Sequence, residues 1–206
     1  MEFIENKTFF IRKLHSLLGI IPIGLFLFEH LFTNSFAVQG AASFNDKAAF
    51  FKSIPILIPI EILVIALPIL FHGIYGLYIV YLARNNVLSY SYYRNWMFYL
   101  QRITAVITLL FVCWHAWNLR IATALNGTEV SFEYMADLLS NQWILAIYVI
   151  GLLSALFHFA NGLWAFLVSW GITIGTKAQN ISAVVCAFVF VGLSALGIFG
   201  LTGFLG

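Results

Sequence analysis

Residues 143–170 read WILAIYVIGLLSALFHFANGLWAFLVSW, an unbroken apolar run with no charged side chain and a single histidine, His158. A membrane-spanning helix needs about 20 mostly apolar residues, and this stretch exceeds that. Outward from it lie four further runs of the same kind, Leu14–Phe36, Ile56–Leu82, Trp96–Leu119 and Ile181–Phe204. The chain has 206 residues, is 62% hydrophobic and only 9% charged, and its mean hydropathy is +0.96. That balance excludes a water-soluble domain. The strand alternation of an outer-membrane barrel is absent. The expected fold is all-α and integral to the membrane, with five transmembrane helices forming one domain over residues 1–206. The first run contains Glu29 and His30 and lacks a small-residue cleavage site, so it is expected to remain as a helix and not to be removed as a signal.

Charge sets the orientation. Lys7, Arg12, Lys13, Arg84, Arg94, Arg102 and Lys177 fall on one side, against Lys47, Lys52 and Arg120 on the other. The positive-inside bias places the N-terminus in the cytoplasm and, after five crossings, the C-terminus outside. Tyr90, Tyr92, Tyr93, Trp96 and Tyr99 cluster at the inner boundary as an aromatic belt. The net charge of +2 carries no basic run, so no nucleic-acid partner is expected. Cys113 and Cys186 lie at different depths, which argues against a disulfide.

The outer loops each suggest a short interfacial helix. Ser43-Phe44-Asn45-Asp46 reads as the cap of Lys47–Ile54, with Phe44 and Phe51 as membrane anchors. Ser131–Leu139 is a second such piece. The inner loops are short enough for a large partner to dock flat against that face. Pro22, Pro59 and Pro68 fall within helices. Pro68, four residues before His72, frees a backbone carbonyl one turn away, or simply makes a packing kink.

Four histidines, His30, His72, His115 and His158, sit deep in the first four runs. A polar ring at membrane depth is costly and marks a candidate site. Four of them are the number needed to hold two haems by paired axial ligation. There is no C-x-x-C-H, so such haems would be held by ligation and packing, not by thioether bonds. Depth decides the pairing. At 1.5 Å per residue, His72 is about 15 Å and His158 about 18 Å from the inner ends of their helices, whereas His30 is about 24 Å and His115 about 28 Å from theirs. His72 therefore pairs with His158 as ligands of an inner haem, and His30 with His115 as ligands of an outer one. The first four helices are the expected haem-binding bundle. Proton-relay or transporter histidines normally come with several intramembrane carboxylates; here only Glu29 and Glu61 qualify.

The second and fourth helices echo each other. Phe71-His72 continues to Gly76-Leu77-Tyr78, and Phe157-His158 continues to Gly162-Leu163-Trp164. Residues i and i+4 share a helix face, so Gly76 and Gly162 lie beside their histidines and are expected to leave room for a flat macrocycle. The competing reading is a small-residue helix contact. Arg102, Arg84 and Lys177 are candidate partners for inner-haem propionates and Arg120 for the outer ones, although snorkelling explains the same positions. His15, beside Arg12 and Lys13, reads as an interfacial residue, with a place near a propionate or a docking partner as the alternative. Glu61 lies three turns before His72 and close to outer-haem depth. It is a candidate for exchanging protons with a quinone, or else a solvated helix-start residue.

The strings Arg12-Lys13-Leu14-His15-Ser16-Leu17-Leu18-Gly19, Tyr92–Phe98, Leu100-Gln101-Arg102, Trp114-His115 and Phe157-His158-Phe159 with Asn161-Gly162-Leu163-Trp164 resemble the membrane cytochrome b subunit of succinate:menaquinone oxidoreductase, the five-helix, two-haem type of Gram-positive bacteria. The resemblance covers nearly the whole chain. It implies an anchor in the bacterial cell membrane for a flavoprotein subunit and an iron–sulfur subunit on the cytoplasmic face. It implies two b haems that pass electrons to menaquinone, and no succinate-oxidising site on this chain. It also implies His72 and His158 as ligands of one haem and His30 and His115 as ligands of the other. The equivalent subunit of quinol:fumarate reductase shares the architecture and is the first alternative. A non-haem transporter and a passive anchor are alternatives of a different class.

Overall fold

The computed structural model describes the backbone of residues 2–206 and side chains from Thr8 onward. Lys7, counted among the inner cations, lies outside the described side chains. Among the described residues every regular element is helical, as lipid demands, because only a helix or a closed barrel bonds all its own backbone groups. The five spans are Thr8–Gln39, Leu57–Leu82, Tyr93–Asn126, Gln142–Ser169 and Thr176–Thr202. The first and third run beyond the expected Leu14–Phe36 and Trp96–Leu119, since helical bonding continues through flanking polar residues that reach water. The side holding Lys13 is called the near side below, and the opposite one the far side.

The prolines act where their missing donors fall. The first span divides into Glu2–Ile20 and Pro22–Ser35, at the proline that cannot donate to the preceding turn. In the second span a π-helical stretch, Glu61–Ala66, precedes Pro68. The Leu67 amide reaches back five residues to the Ile62 carbonyl. That wide turn accommodates the break in the ladder at Pro68. A second π-helical stretch, Trp117–Ala122, begins two residues after His115.

The early part of the first span packs against the second and fourth spans, and the third packs against the second and fourth. Four spans thus close into a ring. The fifth lies outside it, against the fourth span and the later part of the first. Gly203 makes that last contact possible: a Cβ there would meet the main chain of Ala37 and Val38 at 2.5 Å. Small residues that let backbones approach are the usual means of helix association in lipid.

Polar ties gather at the two ends. On the near side Lys13 donates to the Ser169 carbonyl and lies over the Trp170 ring. Arg94 donates to Gln179 at 2.7 Å and Asn180 at 3.2 Å. On the far side the short helices Ala41–Lys52 and Phe132–Ser140 pack together. Asn45 accepts from the Phe132 amide at 2.9 Å, Ser131 caps the second helix by accepting from the Tyr134 amide, and Lys52 pairs with Glu129 at 3.4 Å.

The first of these helices departs from its expected form. It starts earlier, after Gly40 at φ +93°, and has no side-chain cap. Phe44 is not a lipid anchor but is buried against Phe204, with ring centroids 5.1 Å apart. The start at Gly40 rotates Phe44 inward and leaves Phe50 exposed instead. Cys113 is exposed and Cys186 buried, and both are free thiols.

Candidate functional site

Inside the four-span ring the histidines meet in two pairs. His72 and His158 face each other with ring centroids 6.1 Å apart and planes at 84°. His30 and His115 do so at 5.8 Å and 89°. The first pair is nearer the N-terminal side, the second nearer the far side. Each span contributes one ring, so the antiparallel packing of the ring is what levels them.

The near pair is pinned by main-chain oxygens. The His72 Nδ1 donates to the His15 carbonyl at 2.9 Å. The His158 Nδ1 lies 3.2 Å from the Gln101 carbonyl. At His72 the carbonyl can only accept, so Nδ1 is the donor and Nε2 keeps a free lone pair; the His158 Nδ1 has the Gln101 side-chain nitrogen at 3.1 Å as well as the carbonyl. A carbonyl accepting from Nδ1 is the usual way a protein selects the tautomer of a metal-binding histidine.

Glycines allow these approaches, though in a different way from the one expected. Gly19 lies against His72, and a Cβ there would stand 2.5 Å from the ring carbon Cε1. Gly76 lies against the His15 ring, where a Cβ would be 3.3 Å from Nε2. His15–Gly19 and His72–Gly76 are the same four-residue spacing on antiparallel helices, and each glycine receives the other helix's histidine. Gly162 plays the matching part in the fourth span, beside the Gln101 amide at 3.3 Å. In both halves of the internal echo the glycine makes room for a polar side chain of the neighbouring helix. The carbonyl of that same neighbour holds the histidine.

His15 is accordingly not an interfacial residue. Its ring stacks on His72 with centroids 4.1 Å apart and planes within 7°. The repeated H-x-x-x-G spacing in His15–Gly19 is the signal that could have found it. Gln101 carries no comparable local pattern.

The far pair rests in an aromatic setting. Phe111, at 5.5 Å, and Tyr148, at 5.6 Å, surround the His115 ring, and Phe26 lies 5.4 Å from His30. The His115 Nδ1 and the Tyr148 hydroxyl are both buried without a hydrogen-bond partner. Gly151 admits Phe111, whose ring carbon would stand 2.2 Å from a Cβ.

The charged candidates make contacts of their own. Arg102 donates to Asn85 and covers the Phe98 ring at 3.5 Å. Lys177 is exposed in the first turn of the fifth span. Arg120 grips Glu61 through Nε at 3.1 Å and Nη2 at 2.5 Å. Glu61 is therefore an ion-paired carboxylate linking the two π-helical stretches, neither a free acid nor a merely solvated helix-start residue. Its side chain keeps 30% of its exposure.

The family described as the succinate dehydrogenase/fumarate reductase transmembrane subunit matches residues 83–196. That segment takes in His115, Gln101 and His158. The chain is also 50% identical over 193 residues to the succinate dehydrogenase cytochrome b558 subunit of Bacillus subtilis (strain 168), covering 94% of this chain and 95% of that protein. Identity of that extent reaches all four histidine-bearing spans, and the chain belongs to the succinate dehydrogenase/fumarate reductase transmembrane subunit family.

Proposed function

We propose that this chain is the membrane anchor and electron-transfer subunit of a succinate dehydrogenase. In this reading it holds one b haem between His72 and His158 and a second between His30 and His115, and it delivers electrons to a quinone of the menaquinone type. The observation that carries the reading is the pair of facing imidazoles at each of two levels.

The fit can be judged from the residues. Among the described residues no group of three or more His, Cys, Asp or Glu could hold a metal ion. Two facing imidazoles alone suit a metal that brings its own equatorial ligands, as a porphyrin does. The observed centroid separations are 6.1 Å and 5.8 Å. When bound, such haems would supply a one-electron couple at each histidine pair.

The remaining chemistry belongs to the chain. The His15 and Gln101 carbonyls hold the near rings by Nδ1 and so leave Nε2 for the metal. The aromatic wall of Phe111 and Tyr148 keeps water from the far pair. Glu61, oriented by Arg120, is the carboxylate for proton exchange with the quinone on the far side. Gly76 and Gly162 serve the haem site indirectly, by seating His15 and Gln101, and Arg102 and Lys177 remain the cations for propionates of the near haem. The near side is cytoplasmic and receives the flavoprotein and iron–sulfur subunits. The family description names both succinate dehydrogenase and fumarate reductase, and the equivalent subunit of a quinol:fumarate reductase is the alternative reading.

The test is a dithionite-reduced minus oxidised spectrum of the purified chain, with haem counted per polypeptide. Two low-spin b haems per chain are expected. A chain without visible absorption, whose histidine variants abolish transport, would instead be a transporter. A chain whose His115→Ala variant turns over unchanged would be a passive anchor.

A further inference from the structure

We propose that Gln101 is a positioning residue for the near-side histidine His158, acting through an amide relay that ends on Asn161. The inference rests on the haem reading above and assigns a role to a residue that touches no metal.

Gln101 meets His158 at three points. Its carbonyl lies 3.2 Å from Nδ1, its Nε2 lies 3.1 Å from the same Nδ1, and Nε2 donates to the His158 carbonyl at 3.0 Å. The third contact locks the amide to the fourth span. Asn161, three residues further along that span, donates to Gln101 Oε1 at 2.7 Å and to the Met97 carbonyl at 3.2 Å. Those two acceptors fix which way the Asn161 amide points. Asn161 in turn fixes which end of the Gln101 amide is oxygen. The Gln101 NH2 group must then face His158.

The tautomer decides which of the two contacts to Nδ1 is a hydrogen bond. Nδ1 has a donor on one side and a carbonyl on the other. For His158 to offer Nε2 to a metal, Nδ1 must carry its hydrogen, and the Gln101 carbonyl is then the acceptor. Hydrogen bonds of this kind raise ligand basicity and favour the oxidised metal. Of the two NH2 hydrogens one goes to the His158 carbonyl; the other can bond Nδ1 only while that atom carries no hydrogen. The side chain thus clamps the third span to the fourth at the distance where its own carbonyl can accept from Nδ1. Gly162 is what allows the clamp, since a Cβ there would crowd Nε2 at 3.3 Å. Thr104, which also borders the Gln101 carbonyl at 3.3 Å, satisfies its hydroxyl on the Leu100 carbonyl at 2.8 Å.

The other near-side ligand has a counterpart. His15 offers its carbonyl to His72 and seats its ring against Gly76. The far pair has none at His115, whose Nδ1 is unpartnered. An effect of Gln101 is therefore confined to the near haem.

The experiment uses the whole membrane complex with Gln101→Leu, Asn161→Leu and the double variant. It reads haem per polypeptide, the midpoint of each haem by potentiometric titration, and the low-spin signal by paramagnetic resonance. Gln101→Leu is expected to keep two haems and to move only the near-haem midpoint upward. The expected size is a tenfold change in the oxidised-to-reduced ratio, about 59 mV for one electron. Asn161→Leu is expected to move the same haem in the same direction by less, and the double variant no further than Gln101→Leu. If Gln101→Leu fails to accumulate, Asn161→Ala, which removes only the end of the relay, is read the same way. An unchanged near haem, or equal shifts of both haems, overturns the proposal. So does failure of both amide variants to assemble, which would assign the pair to folding alone. Absence of haem from the unaltered complex would overturn the haem reading instead, a separate and distinguishable result.

Discussion

The His72 imidazole donates its Nδ1 hydrogen to the main-chain carbonyl of His15 at 2.9 Å while the two rings stack 4.1 Å apart. One residue thus holds another twice, by its backbone and by its face. A main-chain acceptor cannot be mutated away, so the orientation of His72 depends on how closely the first two spans approach. Gly19 and Gly76 set that approach.

Gly19→Ala tests this directly. The new methyl would stand 2.5 Å from a ring carbon of a side chain fixed on two sides. Overpacking of this kind costs about 1–3 kcal/mol. The variant is expected to lose the near haem or lower its occupancy while the far haem remains. Gly192→Ala, where nothing lies within 4 Å, is the control and should retain both. Equal haem content in the two variants would contradict the packing argument.

Replacing the histidines singly should separate the two levels. His72→Ala and His158→Ala are expected to remove the near haem and impair assembly. His30→Ala and His115→Ala are expected to remove the far haem and stop quinone reduction, while succinate-dependent reduction of a soluble dye persists. Difference spectra of each membrane preparation decide the matter, and four variants with normal haem content would sink the pairing.

Tyr148→Phe is expected to be neutral or stabilising. The hydroxyl is buried beside the His115 ring without a partner, and an unsatisfied buried polar group costs about 1–3 kcal/mol. A melting curve of the solubilised chain should show an unchanged or higher midpoint, with both haems kept. A clear drop would mean that the hydroxyl has a bonding partner in the membrane.

The far-side layer should loosen in acid. The Glu133 carboxyl is held below its ordinary value by its own main-chain amide, the Ser131 hydroxyl and the Asn45 amide. A carboxylate with a depressed folded value contributes stability above its unfolded value, and that contribution fades as pH falls through the folded one. Amide exchange in residues 41–52 and 132–140 is expected to quicken as pH is lowered through the carboxylate range, after correction for intrinsic rates. In Glu133→Gln that pH dependence should flatten; a variant that tracks the unaltered protein at every pH would remove Glu133 from the account.

The sequence by itself determined the five helices, because only long apolar runs can cross lipid and each one declares itself locally. It also determined the histidine levels, since a helix converts residue number into depth at a fixed rise per residue. The cap at Ser131 was equally local. Tertiary structure alone decided what surrounds each ring. That the His15 and Gln101 carbonyls hold the near pair depends on which faces of antiparallel helices meet, and carbonyl groups leave no trace in residue identity. The glycines four residues after His72 and His158 were legible as gaps, but not what fills them. Glu61 and Arg120 read separately as a proton carrier and a haem cation, and only their approach across two π-helical stretches made them partners. Phe44 turned inward for the same reason: one glycine at positive φ set the start of its helix, and with it the face that every later residue presents.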